Sequence, residues 1–209
     1  MTPRSTERAL IDGPAGSLEV VVNAPEASFA GIALLAHPHS QHGGTLDNKV
    51  VQTLARTFFD MHYVAVRCNF RGVGKSAGSF DAGTGETDDA VATLRYAQSR
   101  FGASLPVALG GFSFGAFVQT RVAQRVSAQR LVLVAPAVSR FPVERVPENT
   151  IVIHGEEDDV VPLADVLAWA RPQALPVIVF PGCGHFFHGR LPQLSRTVSE
   201  VWRGATAGQ

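Results

Sequence analysis

The segment Pro106-Val-Ala-Leu-Gly-Gly-Phe-Ser-Phe-Gly-Ala-Phe-Val-Gln-Thr-Arg-Val122 (PVALGGFSFGAFVQTRV) contains the change from strand to helix that decides the fold. Its first half is a continuous apolar run, which is typical of a strand buried on both faces of a parallel sheet. Its second half has apolar residues at helical spacing. Between the halves, GFSFG fits the G-x-S-x-G pattern of a sharp turn that exposes a serine at the carboxyl end of a strand. We therefore predict that Ser113 is a candidate nucleophile.

Similar apolar runs lie on both sides of this segment, and helical patterns separate them. The runs are GIALLA (31–36), YVAVRCNF (63–70), RLVLVAP (130–136), TIVIHG (150–155) and PVIVFPG (176–182). Before them, RALID, the turn Gly13–Gly16 and LEVVV predict a hairpin. The alternation predicts an α/β fold with a mostly parallel, doubly wound sheet of about eight strands, opened by an antiparallel hairpin. We expect a single domain over residues 1–209, with a frayed tail from about residue 204.

The composition is that of a globular protein and argues against several classes of partner. Of the 209 residues 45% are hydrophobic, and 18 basic side chains balance 18 acidic ones, so no net field attracts nucleic acid or an anionic membrane. No run approaches the roughly 18 apolar residues of a membrane span. The start MTPRSTERALIDG lacks the apolar region of a secretory signal. Cys68 and Cys183 lie far apart in the sequence and are expected to be free thiols, which predicts a cytoplasmic location.

A second serine, in RGVGKSAGSF (71–80), fits two functional patterns by spacing alone. GVGKS is similar to the end of a phosphate-binding loop, but Asn69 stands where that loop needs its first glycine. Such a loop would run directly into a helix, but the stretch SAGSFDAGTG (76–85), which begins at Ser76, is too glycine-rich for a helix to start. GKSAG matches the serine pattern but lacks the strand-to-helix context. We therefore predict that Ser76 is a turn residue and that the segment binds no nucleotide.

A serine hydroxyl needs a base that takes its proton and a carboxylate that orients the base. The segment GCGHFFHG (182–189) directly follows a predicted strand, so it should reach the same edge of the sheet as Ser113. It contains His185 and His188. We favour His185 as the base because it is nearer the strand end and is flanked by Gly184, which lets the loop present the ring.

The segment HGEEDDVVP (154–162) also follows a predicted strand and supplies the candidate carboxylates. They are Glu156, Glu157, Asp158 and Asp159. An acidic run of this kind is usually a solvated loop, so at least two of the four are expected to face water. The residues alone do not select the member that would orient the histidine.

Four segments together resemble the α/β-hydrolase superfamily, and in particular its compact, lid-poor bacterial serine hydrolases. They are HPHSQHGGTLDNKV (37–50), GFSFG (111–115), HGEEDDVVP (154–162) and GHFF (184–187). The resemblance covers nearly the whole chain and implies the α/β-hydrolase fold. It also implies that Ser113 is the nucleophile, Asp158 the acid and His185 the base. The pattern HG-x-x-D is what selects Asp158 over its acidic neighbours.

Acyl transfer on such a triad also needs two hydrogen-bond donors for the developing oxyanion. One is expected to be the backbone N–H of Phe114, the residue after the nucleophile. The resemblance places the other at the backbone N–H of His39, in the loop after the strand GIALLA. Gly43 and Gly44 are alternatives, because HGG is similar to the oxyanion motif of other esterases.

The same loop contains three histidines, His37, His39 and His42, which raises the question of a zinc site. His62 is a candidate for a further ligand, but no cysteine or Glu-x-x-His helix supports such a site. We expect no metal and no cofactor. For His37 we favour a structural role with its ring hydrogen-bonded to the backbone.

The predicted site is open. Only residues 137–149 lie between two predicted strands where many α/β-hydrolases carry a lid, and Pro142 and Pro147 in this stretch disfavour a helix. No arginine cluster near the triad indicates an anionic substrate. The candidates for apolar walls are Phe112, Phe114, Phe141, Phe186 and Phe187, and some of the five are expected to pack in the core instead.

These features predict a serine hydrolase that cleaves a small or exposed carboxylic ester. A thioesterase, a peptidase or an acyltransferase would use the same machinery. A catalytically quiet protein of the same fold, binding a small molecule or another protein, is the alternative outside enzymes. The expected partner is an ester-like small molecule, without nucleic acid or membrane.

Overall fold

The computed structural model describes residues 5–26 and 28–206 of the 209. The strands are β1 (Ser5–Gly13), β2 (Gly16–Ala24), β3 (Gly31–Ala36), β4 (Tyr63–Cys68), β5 (Val107–Phe112), β6 (Arg130–Val134), β7 (Ile151–Gly155) and β8 (Val177–Phe180). The helices are α1 (Lys49–Asp60), α2 (Thr84–Phe101), α3 (Phe114–Ala123), α4 (Leu163–Ala170) and α5 (Leu191–Thr206). The tail that was predicted to fray begins at about residue 204. Residues 204–206 belong to α5, and residues 207–209 lie outside the described residues.

The strands form one sheet in the order β1-β2-β4-β3-β5-β6-β7-β8. β2 pairs antiparallel with both β1 and β4, and the strands from β4 through β3 to β8 pair in parallel. The predicted mostly parallel sheet with an N-terminal hairpin is therefore confirmed. β5 and β8 begin one residue later than the apolar runs because Pro106 and Pro176 have no N–H to donate to the ladder.

Helices cover both faces of the sheet, as expected for a doubly wound fold. On one face α1 and α5 pack through Leu54 and Val198 against β5 and its neighbours. On the other face α2 and α3 pack through Leu94 and Phe117. Every residue of β3, β4, β5 and β7 is buried, which explains why these strands are continuous apolar runs.

The glycine-rich stretch after Ser76 does contain the start of a helix, contrary to the sequence-based expectation. α2 begins at Thr84, inside the last residues of that stretch. The carboxylate of Glu86 accepts hydrogen bonds from the backbone N–H groups of Gly83 and Asp81, at 2.8 Å each, and these bonds satisfy donors at the start of the helix. Ser76 nevertheless lies well before Thr84 in the sequence, so it is not at the N-terminus of α2.

The connection between β6 and β7, residues 135–150, contains no helix. The predicted minimal lid is therefore confirmed, and the edge of the sheet formed by the carboxyl ends of β3, β5, β7 and β8 stays uncovered. Within the described ranges, no helix combines the length and the apolar character needed to cross a membrane.

Candidate active site

Ser113 lies at a strained turn between β5 and α3. Its backbone has φ 56° and ψ −117°, a conformation that costs free energy for a residue with a side chain. The two glycines of GFSFG leave room for the turn. A Cβ on Gly111 would lie 2.4 Å from the carbonyl oxygen of Gly115, and a Cβ on Gly115 would lie 2.3 Å from that of Ala36. Only glycine fits at either position, so the pattern follows from the close approach of β3, β5 and α3.

His185 and Ser113 are brought within hydrogen-bonding distance although 72 positions separate them in the chain. The Nδ1–H of His185 donates to Oδ2 of Asp158 at 2.7 Å, which leaves Nε2 unprotonated and 3.1 Å from Oγ of Ser113. The imidazole ring is 3% exposed and packs on Phe112. An imidazole held in this tautomer can accept the proton of the serine hydroxyl.

Asp158 is held as a carboxylate at the end of β7. Its Oδ1 accepts hydrogen bonds from the backbone N–H groups of Val160 and Val161, at 2.9 and 2.7 Å, while Oδ2 accepts from His185. Burial raises the pKa of Asp158, but the hydrogen bonds from His185 and Val161 outweigh burial and keep the pKa below its usual value. The negative charge that would stabilise an imidazolium is therefore retained.

The other candidates of the two loops lie elsewhere. Glu156, Glu157 and Asp159 are exposed, and Glu156 accepts a hydrogen bond from the backbone N–H of Gly182 at 2.9 Å. His188 is exposed and its ring lies against Phe186. Of the four carboxylates and two histidines considered from the sequence, the structure brings only Asp158 and His185 to Ser113.

A second histidine, which the sequence analysis did not single out, lies behind Asp158. His154 is fully buried in β7, donates from Nε2 to the carbonyl oxygen of Val161 at 2.9 Å, and has Nε2 3.4 Å from Oδ2 of Asp158. Burial lowers the pKa of His154, so the ring is neutral and adds no charge to the site. Its position four residues before Asp158, in the pattern HG-x-x-D, was the signal that could have identified it.

The backbone donors near Ser113 differ in whether they are free. The N–H of Gly43 donates to the carbonyl oxygen of Ser40 at 3.3 Å, and that of Gly44 donates to His39 at 3.0 Å, because these residues close a 3-10 turn. Within the described ranges, the N–H groups of Phe114 and His39 have no acceptor. These two N–H groups can therefore face a ligand, whereas those of the two glycines are already used.

His37 is a structural residue, as favoured from the sequence. Its Nδ1–H donates to the carbonyl oxygen of Pro38 at 2.7 Å, and its Nε2 accepts from the backbone N–H of Phe70 at 3.0 Å. Burial lowers the pKa of His37 to about 4. Both ring nitrogens are engaged, and His62 precedes β4 at the opposite edge of the sheet. In the described part of the chain no three His, Cys, Asp or Glu side chains are grouped so as to hold a metal ion.

A cavity of about 600 Å³ opens in front of Ser113. Three of the predicted aromatic walls line it, namely Phe114, Phe141 and Phe186. Phe112 and Phe187 were candidates as well, but both are fully buried in the core between the sheet and α5.

The cavity wall also contains a charge that the sequence analysis did not anticipate. Arg140, in the connection after β6, is the one lining residue with a permanent charge among those described. The other ionisable lining residues are His39, His42 and His185. The described lining of the cavity is therefore mainly apolar, with a positive charge at Arg140 and no carboxylate.

Ser76 lies in a loop, as predicted. Its hydroxyl donates to the carbonyl oxygen of Asn69 at 2.6 Å and accepts from the N–H of Glu19 at 2.9 Å. The N–H of Ala77 donates to the carbonyl oxygen of Ser17 at 2.8 Å, so the loop is fastened to β2. These bonds occupy the Ser76 hydroxyl and give the segment a structural role beside the hairpin.

Cys183, two residues before His185, packs in the core between the sheet and α5. Burial raises the pKa of its thiol, which therefore stays protonated and unreactive.

Comparisons with known proteins bear on the family and the fold. A family model described as X-Pro dipeptidyl-peptidase (S15 family) matches residues 12–146. The match includes Ser113 but ends before Asp158 and His185. A protein of Rickettsia prowazekii described as uncharacterized is 29% identical over 212 residues, covering 90% of this chain and 85% of that protein.

Two solved structures resemble nearly the whole chain. One is an alpha-beta serine hydrolase homologue from Coxiella burnetii, 38% identical, with a TM-score of 0.87, covering 96% of this chain and 97% of that one. The other, from Xanthomonas campestris, is described as a member of the α/β serine hydrolases without a lid. It is 35% identical, with a TM-score of 0.90, and the match covers 97% of this chain and 96% of that one.

Proposed function

We propose the following function from the premise that the chain belongs to the S15 peptidase family of the α/β-hydrolase superfamily and is an α/β serine hydrolase. The protein cleaves a small or exposed carboxylic ester through an acyl-enzyme on Ser113. The observation that carries the proposal is the relay from Asp158 through His185 to Ser113, at 2.7 and 3.1 Å. Its three members are buried beneath an open cavity, where the surrounding protein strengthens their electrostatic interactions.

In the first half of the reaction, Oγ of Ser113 attacks the carbonyl carbon of the ester while Nε2 of His185 takes the hydroxyl proton. The resulting imidazolium is stabilised by Asp158. The negative oxygen of the tetrahedral intermediate is bound by the N–H groups of Phe114 and His39. A donor of this kind contributes about 2.7–4 kcal/mol to the transition state in other hydrolases. His185 then returns the proton to the departing alcohol, and the acyl group remains on Ser113.

In the second half, water enters through the open cavity. Nε2 of His185 takes a proton from this water, which attacks the acyl carbon. His185 then returns the proton to Oγ of Ser113 as the bond between Oγ and the acyl carbon breaks, which releases the carboxylic acid and restores the serine hydroxyl. The choice of His39 over Gly43 and Gly44 as second donor is supported by the hydrogen bonds that already occupy the two glycine N–H groups.

The family name raises a peptidase as the second candidate. A dipeptidyl-peptidase for X-Pro substrates must hold the positively charged amino terminus of its substrate, and a charge taken out of water requires a partner of opposite sign. Among the described residues, the cavity wall contains no Asp or Glu and presents Arg140 instead. The oxygens of Asp158 are already used by His185 and the backbone. The wall therefore supports neutral or acidic substrates over amino-terminal peptides.

A panel of substrates tests the proposal. p-Nitrophenyl butyrate, butyryl-coenzyme A thioester and glycyl-prolyl-p-nitroanilide are compared with the wild type and with Ser113→Ala. We expect the ester to be cleaved with the highest kcat/KM, and Ser113→Ala to lose activity toward it by several orders of magnitude. Preferred cleavage of the anilide would replace the esterase proposal by the peptidase. A folded wild type that cleaves none of the three would favour a binding protein.

We also propose a cytoplasmic location. It is supported by Cys68 and Cys183, which are both free and buried.

A further inference from the structure

A second cleft, of about 470 Å³, lies between α1 and the face of the β1–β2 hairpin that carries Arg8 and Val21. It shares no lining residue with the cavity in front of Ser113. Asp47 and Lys49 line it, whereas Asn48 between them lines the Ser113 cavity and caps α1. The two cavities are therefore separate spaces on either side of one short segment, and the hydrolytic reaction leaves the second unexplained.

Arg67 lies at the base of this cleft and is an unusual residue for its position. It is in the middle of the sheet, paired in register with Val21 of β2 and Leu35 of β3. The residue is only 6% exposed. The other five residues of β4 are mostly apolar and are buried as well, namely Tyr63, Val64, Ala65, Val66 and Cys68. The strand therefore contains a permanently charged side chain at a buried position that an apolar side chain could fill equally well.

The guanidinium of Arg67 has only neutral partners. Nη1 donates to the carbonyl oxygen of Leu46 at 3.0 Å, and Nη2 donates to Oδ1 of Asn23 at 3.4 Å. Nε has no hydrogen-bond partner, and within the described residues no carboxylate oxygen lies within 4.0 Å of the group. A buried charge without a counter-ion is costly, and arginine cannot relieve the cost by losing its proton.

The residues that line the cleft around Arg67 carry more positive than negative charges, although Arg56 is paired with Asp60 at 3.9 Å beside the cleft. Its charged lining residues are Arg8, Lys49, Arg56, Arg67 and the single carboxylate Asp47. That carboxylate is bound to Arg8 at 2.6 Å, and Arg8 also contacts Glu19 at 3.4 Å. Lys49 is exposed and has no ion-pair partner in the described ranges. The burial of Arg67, reinforced by the nearby positive charge of Arg8, lowers the pKa of Arg67, while Asp47 opposes this effect only partly.

We infer that the cleft between α1 and the hairpin is a binding site for a small molecule bearing a carboxylate or phosphate group, with Arg67 at its base and Lys49 at its rim. Nη1 and Nη2 each carry two hydrogens and each has one acceptor, so an oxyanion at this place would receive their remaining hydrogens and would neutralise a buried charge. Planar guanidinium groups bind carboxylates and phosphates through paired hydrogen bonds, so both groups fit this chemistry. The cleft is of a size that accommodates a small organic ligand.

The alternative is a purely structural Arg67 that joins β2, β4 and the loop at Leu46. The two roles differ in one respect, because only a binding site requires Lys49. Within the described residues the side chain of Lys49 makes no hydrogen bond or ion pair, and only its backbone carbonyl accepts a bond, from Thr53 at 2.7 Å. Lys75 is the chain's only other lysine. Lys75 is also exposed and does not line the cleft, so it provides a matched control.

The test measures binding of inorganic phosphate and of citrate by isothermal titration calorimetry, with sodium chloride holding the ionic strength constant. The proteins are the wild type, Lys49→Gln, Lys75→Gln and Arg67→Lys. We expect a dissociation constant in roughly the millimolar range or tighter for at least one anion, weakened about fivefold or more by Lys49→Gln and unchanged by Lys75→Gln. The anion that binds more tightly decides between phosphate and carboxylate.

A spectroscopic readout keeps the test independent of the stability of Arg67→Lys. The Nε–H signal of Arg67 in an ¹H–¹⁵N spectrum of the wild type is expected to shift on titration with the bound anion. Absence of binding to the wild type would overturn the inference. Equal affinity for the wild type and Lys49→Gln, with no shift of the Arg67 signal, would show an adventitious ion only.

Discussion

The 3.1 Å contact between Ser113 and His185 depends on which nitrogen of the ring carries the proton. Asp158 decides this, since its Oδ2 accepts the proton on Nδ1 and leaves Nε2 free. Two backbone N–H groups hold the carboxylate in turn, so its direction is set by the turn after β7. In the proposed reaction, the ability of His185 to take the proton of Ser113 therefore depends on a side chain that does not touch Ser113.

Asp158→Asn is expected to lower kcat for the preferred ester by about 10³–10⁴-fold, because an amide neither stabilises the imidazolium nor fixes the tautomer. Asp159→Asn is the matched control. Its side chain is exposed, and kcat should change less than about twofold. Steady-state kinetics with both variants make the comparison. If Asp159→Asn proved the more damaging, the assignment of the acid would be wrong.

At the residue scale, the sequence predicted the relay better than the cavity wall. Serine, carboxylate and histidine each follow a strand of one parallel sheet, so their meeting at one edge follows from topology. The direction of a side chain beyond a strand end depends on local turns, and for this reason the sequence did not identify Phe112 and Phe187 as the two phenylalanines that pack in the core. Arg140 was missed because a short, irregular connection gives no periodic signal.

At the scale of elements, the site depends on how the loop after β3 is fixed to the loop after β4. His37 makes this link by accepting the N–H of Phe70, and a protonated ring could not accept that bond. The folded structure therefore requires the imidazole ring of His37 to be neutral.

This link predicts a loss of stability in acid. The pKa of His37 is about 4 in the folded protein and about 6.5 in an unfolded chain, so between these values the unfolded state binds more protons. The contribution is fully present above pH 6.5 and is lost as pH falls toward 4, with a size on the order of 3 kcal/mol. Urea unfolding of wild type and His37→Gln at pH 7, 6, 5 and 4.5 measures it.

Glutamine at position 37 keeps an oxygen that can accept the N–H of Phe70 but does not titrate. We expect the free energy of unfolding to fall more steeply with acid for the wild type than for His37→Gln. Parallel curves would show that the ring of His37 is not held neutral by the fold.

The elements themselves were well predicted because most strands of the parallel sheet, namely β3, β4, β5 and β7, are buried on both faces. The exception concerns β4, where a continuous apolar pattern includes Arg67. Its burial could not be read from the pattern, since a cation in a strand normally indicates a solvated face. Only the packing of α1 and the hairpin around that position shows where the charge lies.

At the scale of the whole molecule, the absence of a helix between β6 and β7 decides what the site can enclose. The cavity of about 600 Å³ has aromatic walls close to Ser113 but no cover. A short acyl chain can be buried there, whereas the outer part of a long chain would stay in water and gain no hydrophobic free energy.

We therefore expect kcat/KM for p-nitrophenyl esters to be highest at short acyl chains, of about two to six carbons, and to stop rising beyond them. The physical reason is that each buried methylene contributes about 0.8 kcal/mol only while the wall can still cover it. Initial rates below the solubility limit of each ester give the profile. A continued rise to twelve carbons or more would mean that another part of the molecule closes over the substrate.

The proposed reaction requires Ser113 to be an activated nucleophile, and intact mass after exposure to a fluorophosphonate measures this property directly. Serine attack on phosphorus expels fluoride and leaves a stable adduct of known mass. We predict a single adduct on the wild type, found by peptide mapping in the segment that contains Ser113, and none on a folded Ser113→Ala variant. An adduct that persists in the variant, or no adduct on a folded wild type, would contradict the account.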